Sequence, residues 1–479
     1  QYQGNIYAGR NWKIGLGANY VHSFDGGYAY YAVDSLKKER YKVNYNTPSS
    51  YKRDLLRSYL SVKKSGQHAA FNWMSSYSWS KDKQILDADF TYLDVFDNYK
   101  KSKQHLITQE INLQSTATRY WDWTIGTFGF YKDLENNYLA TFGKDKHFLL
   151  PMPLDEATYY NSTTTKGIAG YGQIGVKELW PGMVLTAGLR YDYENVHLNY
   201  RDSLLLTGSS QFEAYHSSKK DKSFAAWLPK FSFLQKWEKG ISLYANVAKG
   251  YKAGGYNIIA NEMSSLLTDL GYEEEELWNY EIGLKYFSPR KKFNLTAALF
   301  YIDWKDQQIF VMGMMGPSIK NAGDASFGGE LDLQWEIVPR LTYTFSAGYN
   351  HAEYYHHLIQ AYEGHRIVMS PEFTGHAGLS YQMPLRSLGF ENFVASTTVS
   401  GFGTQYFDEA NRLKQSPYFL WNMDITLSGK YMDFHIWGKN ILDKAFFTYM
   451  LNNPVGEKLP QYYDMGQSGS PARFGASIA

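Results

Sequence analysis

The sequence predicts an all-β chain, a transmembrane antiparallel β-barrel of the 22-stranded type that lacks its N-terminal plug and first strands. Three observations lead there. Segments alternating apolar and polar residues with period 2 recur along all 479 residues, as half-exposed strands do. Their polar sides carry carboxylates at mid-strand, which a dry core would reject. Their connections alternate between short and long, the asymmetry of an outer-membrane barrel with tight periplasmic turns and extended outer loops.

The segments justify this one by one. In residues 241–247, Ile241, Leu243, Ala245 and Val247 alternate with Ser242, Tyr244 and Asn246. In LWNYEIGLKYF, Trp278, Tyr280, Ile282, Leu284 and Tyr286 alternate with Asn279, Glu281, Gly283 and Lys285. In GGELDLQWEI, Leu331, Leu333, Trp335 and Ile337 face away from Glu330, Asp332, Gln334 and Glu336. LTYTFSAGYN (341–350) and FLWNMDITLS (419–428) repeat the pattern, the latter with Asp424 on its polar side. Trp278 and Tyr286 at the ends of one apolar face match aromatic girdles at a membrane boundary.

Composition agrees. No run of 18 apolar residues exists and mean hydropathy is −0.45, so spanning helices are not expected, whereas a spanning strand needs only about 9–11 alternating residues. The 42 Tyr, 28 Phe and 13 Trp suit surfaces that meet lipid and water together. A net charge of +1 argues against a nucleic-acid partner. The absence of cysteine excludes disulfide scaffolds and Cys-ligated zinc.

Short turns are expected at 288–292, 337–341 and 428–433, and long connections at 143–165, 201–222, 257–276, 354–370 and 444–470. No linker divides the chain, which reads as one domain, 1–479. Roughly nineteen strand-like segments occur, the first of them partial. Bacterial single-chain barrels have even strand numbers and 22-stranded ones are plugged, so about three N-terminal strands are expected to be missing before Gln1.

Several motifs invite chemistry. GYGQIG (170–175) matches G-x-G-x-x-G, but VKELWPG follows it and no helix N-terminus is expected there to hold a pyrophosphate; strand glycines are the expectation. EEEE (273–276) cannot converge on one ion, because neighbours in extended chain point oppositely, and an exposed loop end is expected. NHAEYYHHLIQAYEGHR (350–366) sets His351, His356, His357 and His365 in one connection with Tyr354, Tyr355 and Arg366. Aromatic rings and arginine grip an anionic iron chelate by stacking and charge-assisted hydrogen bonds, while histidines coordinating nothing are the plain alternative. In YKAGGYN (251–257), Gly254 and Gly255 permit positive φ or close backbone approach. Tyr251, Lys252, Tyr256 and Asn257 are candidates to face a ligand. GQSGS (466–470) lacks the spacing of a nucleophile elbow, and no enzyme is expected.

Five stretches, in order along the chain, carry a resemblance: ITQEINLQS (107–115), YANVAKGYKAGGYN (244–257), YEEEELWNYEIGLKY (272–286), WGKNILDKAFF (437–447) and GSPARFGASIA (469–479). Together they resemble TonB-dependent outer-membrane receptors, the iron-complex branch in particular. In the family the last of these usually continues to a terminal aromatic, whereas here it stops at Ala479. Glu110, Asn112 and Gln114 fall where the family's strand faces the lumen.

The resemblance implies a bacterial outer-membrane location and active import of a ferric siderophore or similar metal chelate. Energy would come from the TonB–ExbB–ExbD complex pulling on a plug that has no counterpart in this sequence. Outer-membrane lipids and a surface lipoprotein are the other implied partners, and no cofactor is expected. Uptake of cobalamin, haem or a saccharide, a passive porin-like channel, or a structural envelope component stand as alternatives.

Overall fold

The computed structural model describes residues 2–478 except 10, 34–40, 117, 150–152, 258–269, 291, 314–315, 388 and 460–462. Expectations about Gln1, Ala479 and the middle of the 257–276 connection therefore lie outside the described residues.

Nineteen strands build one antiparallel sheet. Each pairs with the next along the chain, from Tyr2–Ala8 to Arg473–Ile478. The expected number of segments is thus found. Such a ladder satisfies the backbone of every interior strand without water, the condition for crossing lipid. Among the described residues no ladder joins the first strand to the last. The sheet's two ends nevertheless meet at one rim: Tyr30–Ala32, after the second strand, pairs with Asp464–Ser468, which pairs with Phe447–Asn452 before the last strand.

Tight turns occupy one rim, at 66–68, 178–182, 237–240, 339–340 and 430–432, as expected. The other rim carries the longer connections, with two corrections. Residues 154–165 and both flanks of 201–222 are strand, so the actual links are 143–153 and 207–212. The cause is persistent pairing: Tyr160↔Arg201 and Ser217↔Arg201 continue the ladder through polar sequence. Leu154–Lys177, Met183–Leu206 and Glu213–Lys236 each run 24 residues, about 80 Å at about 3.3 Å per residue. That is far more than a bilayer needs, so their linked ends project beyond it.

The two faces of Met183–Leu206 reveal the arrangement. Leu185, Leu189, Tyr191 and Tyr193 lie exposed on one face of the half nearer the tight turns. On the other face Arg190, Asp192 and Glu194 give way, further up, to buried Val196, Leu198 and Tyr200. Leu198 and Tyr200 share a core with Val95, Leu270 and Val455, which come from three separate connections. The sheet is therefore concave on that face, wet at membrane level and dry above.

Glu281, Glu330, Asp332 and Asp424 all lie on the concave face by register, opposite exposed Ile282, Trp335 and Ile425. A greasy outside and a polar inside follow, as expected. GYGQIG lies within a 24-residue strand followed by a turn, which removes the dinucleotide reading.

Candidate functional site

The longer connections converge over the concave face. Where the Ile241–Lys252 strand ends, Gly254 has backbone so close that an added Cβ would stand 2.4 Å from the Tyr272 carbonyl and 2.6 Å from the Phe224 ring. Close approach, rather than positive φ, is what this glycine supplies. The chain then enters the mouth. Tyr256 packs on the dry upper core. Asn257 Nδ2 donates to the Ile319 carbonyl at 3.1 Å, while its Oδ1 accepts from the Ile319 amide at 2.6 Å. Its own carbonyl accepts from Asn161 Nδ2 at 3.5 Å. Asn161 and Ile319 stand on strands six apart in the sheet, so Asn257 ties two separate stretches of wall together.

Lys252 is exposed, with Nζ 3.9 Å from Glu275 Oε1. The Tyr251 hydroxyl is buried without a hydrogen-bond partner among the described residues. The four glutamates diverge as extended chain requires: Glu273 pairs with Lys222 at 2.5 Å, and Glu276 with Lys249 at 2.7 Å. The expectation of an exposed run fails at Glu275, which is buried and accepts from the Gln308 amide at 2.6 Å.

The 350–366 segment is likewise more ordered than a solvated connection. Residues 350–356 belong to the Leu341–His356 strand. There Tyr354 points to the concave face, fully buried against Ile309 and Ala322. Tyr355 points outward, exposed, its hydroxyl donating to the Trp304 carbonyl at 3.1 Å. His351 stacks on Phe327 at 5.0 Å, and exposed His356 stands 3.6 Å from Glu363.

Beyond the strand, the rings of His357, Tyr362 and His365 follow in series: Tyr362 stacks on His365 at 5.5 Å and lies tilted against His357 at 5.2 Å. This connection is clasped to its neighbour at 403–417. The Arg366 amide donates to Asn411 Oδ1 at 2.7 Å, Asn411 Nδ2 returns a bond to the Arg366 carbonyl at 2.9 Å, and His365 Nδ1 donates to the Glu409 carbonyl at 2.8 Å. The Arg366 guanidinium donates to the Asn350 carbonyl at 2.9 Å and lies 3.8 Å from both Glu353 and Glu372.

Two acids unmarked in the sequence reading stand here. Asp324 pairs in register with Trp304 on one side and Tyr354 on the other. It is fully buried, and neither carboxylate oxygen has a hydrogen-bond partner among the described residues. The outward side at this level carries Asp303 and Glu353, which places the row above the hydrocarbon. Burial, reinforced by the charges of Glu275 and Asp303, pushes the Asp324 carboxyl up to about 8. Glu409 is pushed up to about 7 by burial and then by Asp408. Asp324 shares the parity of Glu330 and Asp332 along its strand, a signal available in the sequence; Glu409 had none. Among the described residues, no group of three or more His, Cys, Asp or Glu is arranged to hold a metal ion.

Lower on the concave wall, Tyr171 donates to Glu110 Oε1 at 2.6 Å, and Arg190 grips Asp192 with two 2.7 Å bonds while lying over the Phe128 and Tyr171 rings. Glu110, Asn112 and Gln114 share this face, opposite exposed Ile107, Ile111 and Leu113.

An antiparallel sheet with a lipid-compatible outer face and a charged inner one defines an outer-membrane β-barrel protein. The family model described as TonB dependent receptor-like, beta-barrel, matches residues 1–441, and the chain belongs to that family of outer-membrane transport receptors, which are not enzymes. It is 22% identical over 462 residues to the pesticin receptor of Yersinia pestis, covering 95% of this chain and 64% of that protein; the chain thus spans somewhat under two thirds of that relative's length. In fold it is similar to the crystal structure of the ferric yersiniabactin uptake receptor FyuA from Yersinia pestis, with a TM-score of 0.83 at 19% identity over 98% of this chain and 68% of the other. The siderophore receptor PiuA from Acinetobacter baumannii follows with a TM-score of 0.72 at 14% identity, covering 99% and 72%.

Proposed function

We propose that the chain is the barrel wall of an active importer for a ferric siderophore, energised through a plug by the TonB–ExbB–ExbD complex. The observation that carries this reading is the mouth: connections lower tyrosine, histidine and arginine side chains over a concave wall lined by Glu110, Tyr171, Arg190 and Asp192. A polar interior suits a hydrated chelate in transit, and rings beside Arg366 suit an anionic aromatic one. The edges of Tyr2–Ala8 and Arg473–Ile478, which no ladder joins among the described residues, fit completion by further strands to the 22-stranded form. A barrel that wide leaks unless plugged.

Tyr251, Lys252, Tyr256, Asn257, Tyr354, His356, His357, His365 and Arg366 are proposed to shape the ligand chamber; Tyr355, which points outward, is not among them. Lys252 and Arg366 would supply its positive charge, while buried Tyr354 and partly buried Asn257 set its walls. The named uptake of ferric yersiniabactin by one similar protein makes that chelate the first to assay.

The test is uptake of radioiron chelate by cells whose own receptors are deleted and that express the complete receptor, with and without TonB. Accumulation that requires both receptor and TonB supports the reading. TonB-independent equilibration of unrelated solutes of similar size would replace it with a passive channel.

A further inference from the structure

Three lysines stand in a line on the outer wall. Lys52 pairs in register with Lys83, and Lys83 with Lys101. One step lower Lys81 pairs with Lys103. All five are exposed, and none lies within ion-pair distance of a carboxylate among the described residues. Lys81 and Lys103 face Asp54 and Glu135 across their other neighbouring strands, whereas the Lys52–Lys83–Lys101 row has only Phe24 and Asn137 at its ends. Like charges directly opposite one another destabilise a sheet, so this row calls for an anion from outside the chain. The nearby Asp54 is already committed to Tyr20 and His22, at 2.7 Å each.

Height and face say which anion. Lys101 and Lys103 share the outward face of Phe96–Ser115 with exposed Ile107, Ile111 and Leu113. From Leu113 to Lys101 the strand climbs about 40 Å, or about 28 Å along the membrane normal at a tilt of about 45°, against an apolar band about 25 Å tall. The lysines therefore sit just above the hydrocarbon, at the depth of lipid headgroups. Directly below them on the same strands the wall is dented. A depression of about 860 Å³ is lined on this face by Leu16, Leu60, Tyr77 and Ile107 around small Ser58 and Ser75. Its floor is mostly apolar and at acyl-chain depth.

We infer that this outer face is a docking site for one phosphorylated lipid of the outer leaflet, its phosphates on the Lys52–Lys83–Lys101 row and an acyl chain in the depression beneath. Each ammonium donates to phosphate oxygens in charge-assisted bonds, and the occupant removes the mutual repulsion of the row. The site lies on the opposite face of the wall from the ligand mouth and does not depend on the proposed cargo.

The test titrates the complete receptor in non-ionic detergent with lipid A bearing two phosphates, with its dephosphorylated form, and with inorganic phosphate, read by native mass spectrometry. Lipid A is expected to bind the wild type. The exposed-surface variant K52Q/K83Q/K101Q should bind it at least tenfold more weakly, with unchanged far-ultraviolet circular dichroism. Removing the lipid's phosphates should cost as much, and S75W, which fills the depression, should weaken binding severalfold. Equal binding of lipid A by wild type and triple variant, or equal binding of the dephosphorylated form, would overturn the inference. So would lysine-dependent binding of inorganic phosphate with no binding of lipid A, which would make the row a free-phosphate site.

Discussion

His357 Nε2 stands 3.9 Å from Glu409 Oε2, and the histidine side chain is buried. The Ile359 amide donates to His357 Nδ1 at 3.0 Å, which leaves the ring proton on Nε2, facing the carboxyl. Burial lowers the His357 pKa, with His365 and His356 adding to the effect and Glu363 opposing it, while burial raises that of Glu409 to about 7. Both groups are thus held toward neutrality at the contact between two outer connections, beside the ring of Tyr354.

This contact predicts a pH response. A carboxyl with a raised folded pKa favours the fold below its ordinary value of 4.5 and withdraws that contribution as pH climbs through about 7. His357 acts oppositely, favouring the fold above its ordinary 6.5 and withdrawing as pH falls. Amide exchange across 357–372, corrected for intrinsic rate, isolates the first effect. From pH 6 to pH 8 the wild type should lose about tenfold more protection than Glu409→Gln. Identical pH dependence in the two proteins would show that Glu409 ionisation does not act there.

A second response belongs to the turn at 87–97. Burial, with the charge of Asp89, pushes the Asp87 carboxyl up to about 7, and burial raises Asp89 to about 6. Asp87 accepts from the Phe90 amide at 2.8 Å and Asp89 from the Phe96 amide at 3.1 Å. Both contributions are complete below the ordinary value of 3.8 and are lost as pH rises through 6 to 7. Exchange at Phe90 and Phe96 should accelerate between pH 5 and pH 8, and Asp87→Asn should flatten the profile.

Asn257→Ala removes both bonds to the Ile319 backbone and leaves a partly buried amide and carbonyl without their partners. The cost should be about 1–3 kcal/mol, local to the mouth. Amide exchange at position 257 and at Ile319 should be faster in the variant, with the melting of the sheet itself little changed.

Gly254→Ala should be worse than a usual glycine replacement. Its new methyl meets a backbone carbonyl and the Phe224 ring, neither of which yields cheaply. A loss of about 1–3 kcal/mol is expected, visible as a lowered unfolding midpoint, and Gly170→Ala, which meets nothing within 4 Å, serves as the mild control.

Strand existence, face and order were legible because alternation is local: Leu331, Leu333 and Trp335 segregate from Glu330, Asp332 and Gln334 within a few residues of chain. Strand length was not. Whether Arg201 or Ser217 continues a ladder depends on what stands opposite, Tyr160 in one case and Arg201 in the other, and polar sequence above a membrane looks like loop until its neighbour is known. At the mouth, residue types were visible but roles were not. Asn257 is defined by Ile319, 62 positions away, and Tyr354 by strand parity that turns it inward while Tyr355 turns out. Glu409 acquired its setting only from the 357–372 connection folding against it.

The small sheet uniting Tyr30–Ala32 with Asp464–Ser468 has a consequence for assembly. Tyr31 and Ser468, hydrogen-bonded there, lie 437 positions apart, so this junction cannot form until the intervening wall has bent round to bring them together. Closing so long a loop is slow and entropically costly. The junction therefore works as a late seal, and a chain arrested before it would leave Tyr30–Ala32 and Asp464–Ser468 unpaired with each other, their hydrogen-bonding edges open to any neighbour able to pair with them.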